Sequence, residues 1–267
     1  MRIVARETRT LRTDIAWSTP DQINVRGHDL VNEILGHMTL ADYSFLQLTG
    51  RTPSAAEGRV YNAILMTLVE HGLTPSALAA RLTYIGAPEA LQAAVAAGLC
   101  GLGSVFVGST ETSAKMLTDA VPLDDPDAGD LDEHAKTIVS GFTSRREIIP
   151  GIGHPLHKPV DPRAPRLFEI ARESGLSGRY VELMQKVSAE AERQTGKQLP
   201  VNATGAIGAL SSELGFAWPV IRGFGVMARA VGLVGHILEE TKMPLAKEVW
   251  QRAEEESSSH LRPNAQD

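Results

Sequence analysis

Apolar positions along this chain recur at the three- and four-residue spacing of helices almost wherever a pattern can be read. Val60, Ile64, Leu68 and His71 fall at i, i+4, i+8 and i+11, which predicts a helix with His71 at the end of its apolar stripe. Ser54 and Glu57, behind Pro53, form a capping-box pair that would start this helix. Thr74-Pro75 marks a second start, with threonine as cap and proline in the first turn. Leu91, Val95, Gly98 and Leu102 mark the next helix, set in the alanine-rich run 90–97, whose small side chains suit a tight core or a subunit interface. Further helical patterns cover 131–142, 167–174 stopped by Gly175, 180–195 stopped by Gly196, 202–214 and 219–240. β-type alternation occurs only near 2–4 and 15–17. Residues 124–130 (DDPDAGD) read as a polar loop, and 145–166, broken by five prolines and two glycines, reads as largely loop. The polar tail 254–259 is expected to fray. The pattern predicts an all-α protein without internal repeats.

With 267 residues, 43% of them apolar, a sizeable core can be buried. A formal net charge of −6 argues against a nucleic-acid partner, which needs a basic face. A small anionic ligand remains open, because arginines and histidines can cluster locally on an acidic protein. No stretch approaches the roughly 18 apolar residues of a membrane span, and the N-terminus has no apolar run of signal-peptide length, so the expected location is cytoplasmic. The single cysteine, Cys100, forms no internal disulfide and is expected to be a small buried hydrophobe.

Two segments carry candidate chemistry. The first is the loop from Pro150 to Arg163, which reads Pro-Gly-Ile-Gly-His-Pro-Leu-His-Lys-Pro-Val-Asp-Pro-Arg. Gly151 and Gly153 let backbone approach a ligand, prolines stiffen the loop, and His154, Lys158 and Arg163 suit a carboxylate or phosphate. A rigid connector with a surface histidine is the plainer alternative. His154 and His157 have a spacing that metal ligands use, but no third ligand is evident, so no metal is expected. The second segment is the last long helix. There Arg222, Arg229 and His236 recur every seven residues on one face, beside Gly225 and Gly232. Such a cationic stripe could hold a polyanion, or could be a solvated edge paired with Glu239 and Glu240. His71 could equally be a hydrogen-bonded core residue, and Asn202 a helix cap.

Taken in order, these pieces resemble the citrate synthase family, including the citryl-CoA lyase modules of ATP-citrate lyases. The pieces are Val25-Arg26-Gly27-His28-Asp29-Leu30, residues 46–53 (LQLTGRTP), Glu70-His71-Gly72, the Gly-Ile-Gly-His-Pro…Asp-Pro-Arg loop, Pro200-Val201-Asn202, and Ala228-Arg229-Ala230-Val231-Gly232…Gly235-His236. The resemblance implies a helical fold with a large domain (1–107 and 216–267) and a smaller inserted domain (108–215), assembled as a homodimer or dimer of dimers. It implies no tightly bound cofactor, and as substrates an acyl-CoA thioester with a 2-oxo acid or citrate-like carboxylate. Carried over by position, His71 and His154 would polarise the oxo-acid end, Arg163 and Arg229 would grip its carboxylates, and Lys158 would lie near CoA phosphates.

Two positions depart from the synthase pattern. Phe106 stands where synthases place a histidine that stabilises the acetyl-CoA enol, and citryl-CoA lyase modules are similar in carrying phenylalanine there. Lys115-Met116 is also similar to those modules. Thr204 stands two residues after Asn202, at the place of the family's catalytic aspartate, and a threonine hydroxyl does not ionise near neutral pH. The resemblance therefore favours carbon–carbon cleavage of citryl-CoA or a related 3-hydroxyacyl-CoA. The alternatives are synthase-type condensation and a catalytically impaired member that binds CoA or an oxo acid.

Overall fold

The protein is described by a computed structural model covering residues 11–125, 127 and 129–262. The expected alternation at 2–4 lies outside the described residues. Contacts divide the chain into two compact units, Met1–Gly58 and Arg59–Asp267.

In the first unit three short strands, β1 (Ala16–Ser18), β2 (Ile23–Val25) and β3 (His28–Asp29), form an antiparallel sheet in sequence order. Trp17 pairs with Asn24, and Val25 with His28. The β2–β3 turn is two residues long, with Arg26 at φ 53° and Gly27 at φ 88°. This is the left-handed pair that matches strand twist, and glycine adopts it without strain. Asp29 then accepts the amides of Val31 and Asn32, turning the chain into a short π-helical segment, Leu30–Ile34. Helix α1 (Leu40–Thr49) starts at a Thr39/Asp42 capping box and ends at left-handed Gly50. Val25, Ile34 and Leu46 form this unit's small core.

Helix α2 (Ala55–Val69) starts as the sequence predicts. The Ser54 amide donates to Glu57 at 2.8 Å, and the Glu57 amide donates to Ser54 Oγ at 3.2 Å. The helices that follow are α3 (Pro75–Gly86), α4 (Leu91–Cys100), α5 (Gly108–Ala120), α6 (Leu131–Ser144), α7 (Arg163–Glu173), α8 (Arg179–Thr195), α9 (Ala203–Glu213), α10 (Trp218–Lys242) and α11 (Ala246–Ser258). Thr74 caps α3, and Gly196 closes α8 in the left-handed conformation. α9 is buried along almost its whole length, and it packs against α5, α7, α8 and α10. Small residues make that possible: a Cβ at Gly208 would fall 2.8 Å from the Ala114 amide nitrogen. Tyr61, Phe216 and Phe224 form an aromatic cluster with ring centroids 4.8–5.6 Å apart.

Several expectations are corrected. α1, α5 and α11 lie outside the helical stretches that the sequence predicts. The tail expected to fray is helical through Ser258 and continues as a 3₁₀ turn, Ser259–Leu261. Cys100 is exposed, because it sits on the outer face at the last position of α4. His71 does not sit on the apolar stripe: α2 ends at Val69, and His71 lies in the following turn, exposed. α10 does have the length and apolar composition of a membrane span, contrary to the sequence reading. It nevertheless packs against α3, α4, α5 and α9 and buries Arg229, as a core helix does.

Candidate active site

Helix ends and turns of the second unit bring the candidate residues together. The loop after α6 is zipped to the start of α9: Ile152 bridges Val201, the Gly153 amide donates to the Pro200 carbonyl at 2.8 Å, and the Asn202 amide donates to the Gly151 carbonyl at 3.0 Å. The approach is close enough that a Cβ on Gly205 would fall 2.2 Å from the Gly151 oxygen, so two glycines meet there. Gly151, expected to let backbone approach a ligand, instead turns its open side onto α9 and Ser113.

Asn202 caps α9. Its Oδ1 accepts the amides of Thr204 and Gly205 and the Thr204 hydroxyl at 2.8 Å, while its Nδ2 donates to the Gly153 carbonyl at 2.6 Å. Thr204 is thereby tied to the histidine loop through one amide side chain. Asp161, buried, accepts Arg163 Nε and Nη2, both at 2.9 Å, together with the backbone amides of Arg163 and Ala203. Burial alone would raise this carboxyl, but the Arg163 guanidinium and the two amides outweigh it and hold the group at about 2.

Three imidazoles gather above this floor. The His71, His154 and His157 ring centroids are 6.4, 5.6 and 4.5 Å apart pairwise, and the Nε2 atoms of His71 and His157 lie 3.3 Å apart. His154 Nδ1 accepts the amides of Leu156 and His157 at 3.1 and 2.9 Å, so the neutral ring carries its proton on Nε2. Desolvation lowers the pKa of both His71 and His154. Arg163, His157 and Arg229 push His71 further down, and His157 and Arg163 do the same to His154. Neutral imidazoles thus sit beside permanent guanidinium charges.

The wall behind His71 is a charged network. Glu70 Oε1 accepts the His71 amide at 2.8 Å, and Oε2 lies 3.1 Å from His236 Nε2. His236 Nδ1 faces Arg81 Nε and Nη2 at 3.2 and 3.0 Å. An arginine can only donate, so the His236 proton sits on Nε2, toward Glu70. Arg81, 1% exposed, also pairs with Glu239 and, at 2.7 Å, with buried Glu240. Burial raises Glu70, yet the His71 amide, His236 and Arg229 together bring it below its ordinary value. Arg229 is 8% exposed. Its Nη1 stands 3.5 Å from Glu70, beyond hydrogen-bonding reach, and its Nε and Nη1 have no hydrogen-bond partner among the described residues.

The structure therefore gathers His71, His154, Arg163 and Arg229 and links Asn202 and Thr204 to them. Two further candidates are exposed. Phe106 lies in a π-helical turn, Gly103–Val107, 53% exposed. Lys158 is exposed with no ion pair among the described residues. The seven-residue stripe on α10 also divides. Arg222 is exposed and pairs with Glu111, Arg229 and His236 turn inward, and Glu239 and Glu240 serve Arg81. Gly225 and Gly232 are filled by Val107 and by Val69 with Glu70, so that face holds protein, not a polyanion. Sequence reasoning missed Arg81. The available signal was a charge on the same face of α3 as Ala77 and Ala80, which requires a buried partner. Arg163 also lines a cleft of about 370 Å³ between α2 and α7, with Ala63, Met66, Thr67, Leu167 and Ile170.

Residues 22–251 match the citrate synthase C-terminal domain. The chain belongs to the citrate synthase family. Its all-α fold is citrate synthase-like. A solved citryl-CoA lyase from Hydrogenobacter thermophilus is similar at 33% identity and a TM-score of 0.79, with 88% of each chain covered. ATP citrate lyase from Methanothrix soehngenii, solved in complex with citrate and coenzyme A, shares the fold at a TM-score of 0.72 and 21% identity, over 90% of this chain and 40% of that one. Citrate synthase 2 of Bacillus subtilis (strain 168) is 26% identical over 202 residues, 75% of this chain and 52% of that protein. The chain thus spans about half the length of that citrate synthase family relative.

Proposed function

We propose that this chain cleaves a carbon–carbon bond in a CoA thioester, with citryl-CoA as substrate and acetyl-CoA and oxaloacetate as products. The observation that carries the reading is Arg229, a buried guanidinium with two nitrogens unpaired beside neutral imidazoles. A buried cation without a hydrogen-bonded counterion is costly, and a ligand carboxylate would supply the missing acceptor. Arg163, fixed by Asp161, would take a second carboxylate at the mouth of the site. His154 Nε2–H would donate to the substrate oxygen that becomes the oxo-acid carbonyl. Phe106 in place of a histidine, and the likeness to the Hydrogenobacter thermophilus citryl-CoA lyase over 88% of both chains, support cleavage over condensation. Lys158 and Gly153 would lie toward the CoA phosphates. The smaller domain would be 108–215, and the working form a dimer.

The test is to incubate pure protein with citryl-CoA and related 3-hydroxyacyl-CoAs and follow oxo-acid release. Turnover is expected with citryl-CoA, and its absence with every one of them overturns the reading. A second reading rests on Thr204, which leaves the first turn of α9 without a carboxylate: a member that binds CoA or an oxo acid without turnover. Oxaloacetate or CoA binding by calorimetry, without cleavage, would favour it.

A further inference from the structure

If a proton must move at this site, Thr204 cannot move it. Its hydroxyl donates to Asn202 Oδ1 at 2.8 Å, and the same oxygen accepts the Thr204 and Gly205 amides. The neighbouring carboxylates are engaged as well. Asp161 accepts four hydrogen bonds from Arg163 and Ala203, and Glu70 accepts the His71 amide and lies 3.1 Å from His236 Nε2. His154 has Nδ1 occupied by two backbone amides, which leaves it a fixed donor. One titratable pair remains. His71 and His157 face each other through Nε2 at 3.3 Å, and neither Nδ1 has a hydrogen-bond partner among the described residues.

We propose that His157, coupled to His71 across this contact, is the proton-transfer group of the site and stands in for the carboxylate that Thr204 lacks. This rests on the lyase reading above. Two imidazoles at 3.3 Å share one proton between their Nε2 atoms when both rings are neutral. Desolvation, Arg163 and Arg229 disfavour charge on the His71 ring against the pull of Asp161, so His71 rests as a neutral base against the His157 ring. In cleavage, the substrate O–H bond breaks and its proton passes to the pair. The electrons of the C–C bond leave with the acyl-CoA fragment as an enolate while the C–O bond becomes the oxo-acid carbonyl. The same proton then goes from the pair to the enolate carbon, forming the C–H bond of the released acyl-CoA. The pair ends as it began, and no oxidant or water is consumed. The groups that face it are Glu70 from the turn after α2, His154 and Asp161 from the loop, Arg163 from α7, and Arg229 from α10, with His236 behind Glu70.

Two measurements on the full chain test this. Histidine ring titration by NMR needs no substrate. Wild type should show His71 and His157 titrating as a coupled pair in two steps, and His157→Phe should raise the His71 midpoint. Independent titration, with His71 unmoved by the substitution, overturns the proposal. Single-turnover cleavage of citryl-CoA is the second measurement. His157→Phe should lower the rate about 10²–10⁴-fold with CoA affinity unchanged by calorimetry, and adding Thr204→Asp to that variant should restore part of the rate. A wild-type rate in His157→Phe overturns the proposal. Coupled titration in a wild type that cleaves no CoA thioester would sink the lyase reading alone and leave the proton-sharing pair standing.

Discussion

The two arginines of the site are held in opposite ways. Arg163 is partly open to solvent, yet its guanidinium is bound bidentately by Asp161, which is also tied to the first turn of α9. Arg229 is deeper, but its nearest carboxylate, Glu70, stands 3.5 Å away and is shared with His236 and the His71 amide. The outer arginine is therefore a rigid fixture whose charge is already balanced. The inner one keeps most of its hydrogen-bonding capacity for something that arrives. Stability and binding should separate along this line: removing the Asp161 carboxylate that anchors Arg163 should cost mainly the fold, and removing the Arg229 guanidinium should cost mainly the ligand.

The largest expected effect is on the outer side. Asp161→Asn leaves the Arg163 guanidinium beside a neutral amide and weakens the contact to Ala203, which should lower unfolding free energy by about 3–5 kcal/mol in urea melts. A loss below 1 kcal/mol would mean that Arg163 is not anchored as described. On the inner side, Arg229→Gln should weaken oxaloacetate binding, read by calorimetry, by roughly 10- to 100-fold, the value of a charge-assisted hydrogen bond of about 1.5–3 kcal/mol. Its urea midpoint should hold or rise, because a buried guanidinium with two nitrogens lacking hydrogen bonds is removed. Equal losses in the two measurements would break the comparison.

Acid should act through the outer side as well. Asp161 titrates at about 2 in the fold against 3.8 unperturbed. The depressed value makes its contribution, about 2 kcal/mol, complete above pH 3.8 and lost as pH falls through about 2. Asp161→Asn should flatten the stability profile over that window, and an unchanged profile would contradict the assignment. The smallest effect belongs to Glu70→Gln. Removing a half-exposed carboxylate that competes for Arg229 should tighten oxaloacetate binding about two- to five-fold, the scale of a partly solvated ion pair. Weaker binding would show that Glu70 positions His71 more than it competes for Arg229.

Some of this was legible in one dimension and some was not. The starts of α2 and α3 and the stop of α8 followed from Ser54/Glu57, Thr74-Pro75 and Gly196, because caps and stops are settled within four residues. α1 and α11 were not legible: α1 has a weak apolar period, and α11 is mostly polar, with Ala246 as its buried residue. His154 and Arg163 drew notice through the composition of their loop, His71 through the end of an apolar stripe and Arg229 through a seven-residue cationic stripe, and the family motif gave all four a role. Arg81 drew none, and the partners of His236 were not those expected, since a charge on a helix shows neither its burial nor its partner in sequence.

By itself, then, the sequence determined that this is a helical protein of the citrate synthase family, with a histidine- and glycine-rich loop, two candidate arginines, and threonine where the family has aspartate. Those are local periods, turn chemistry and ordered motifs, which short-range physics and residue identity encode directly. Only the tertiary structure decided that Arg163 is hydrogen-bonded to its carboxylate while Arg229 is not, that Gly151 serves packing against α9, and that His157 faces His71 across 3.3 Å. Burial, desolvation and the distance between side chains 86 positions apart are properties of the packed chain, and no window of sequence contains them.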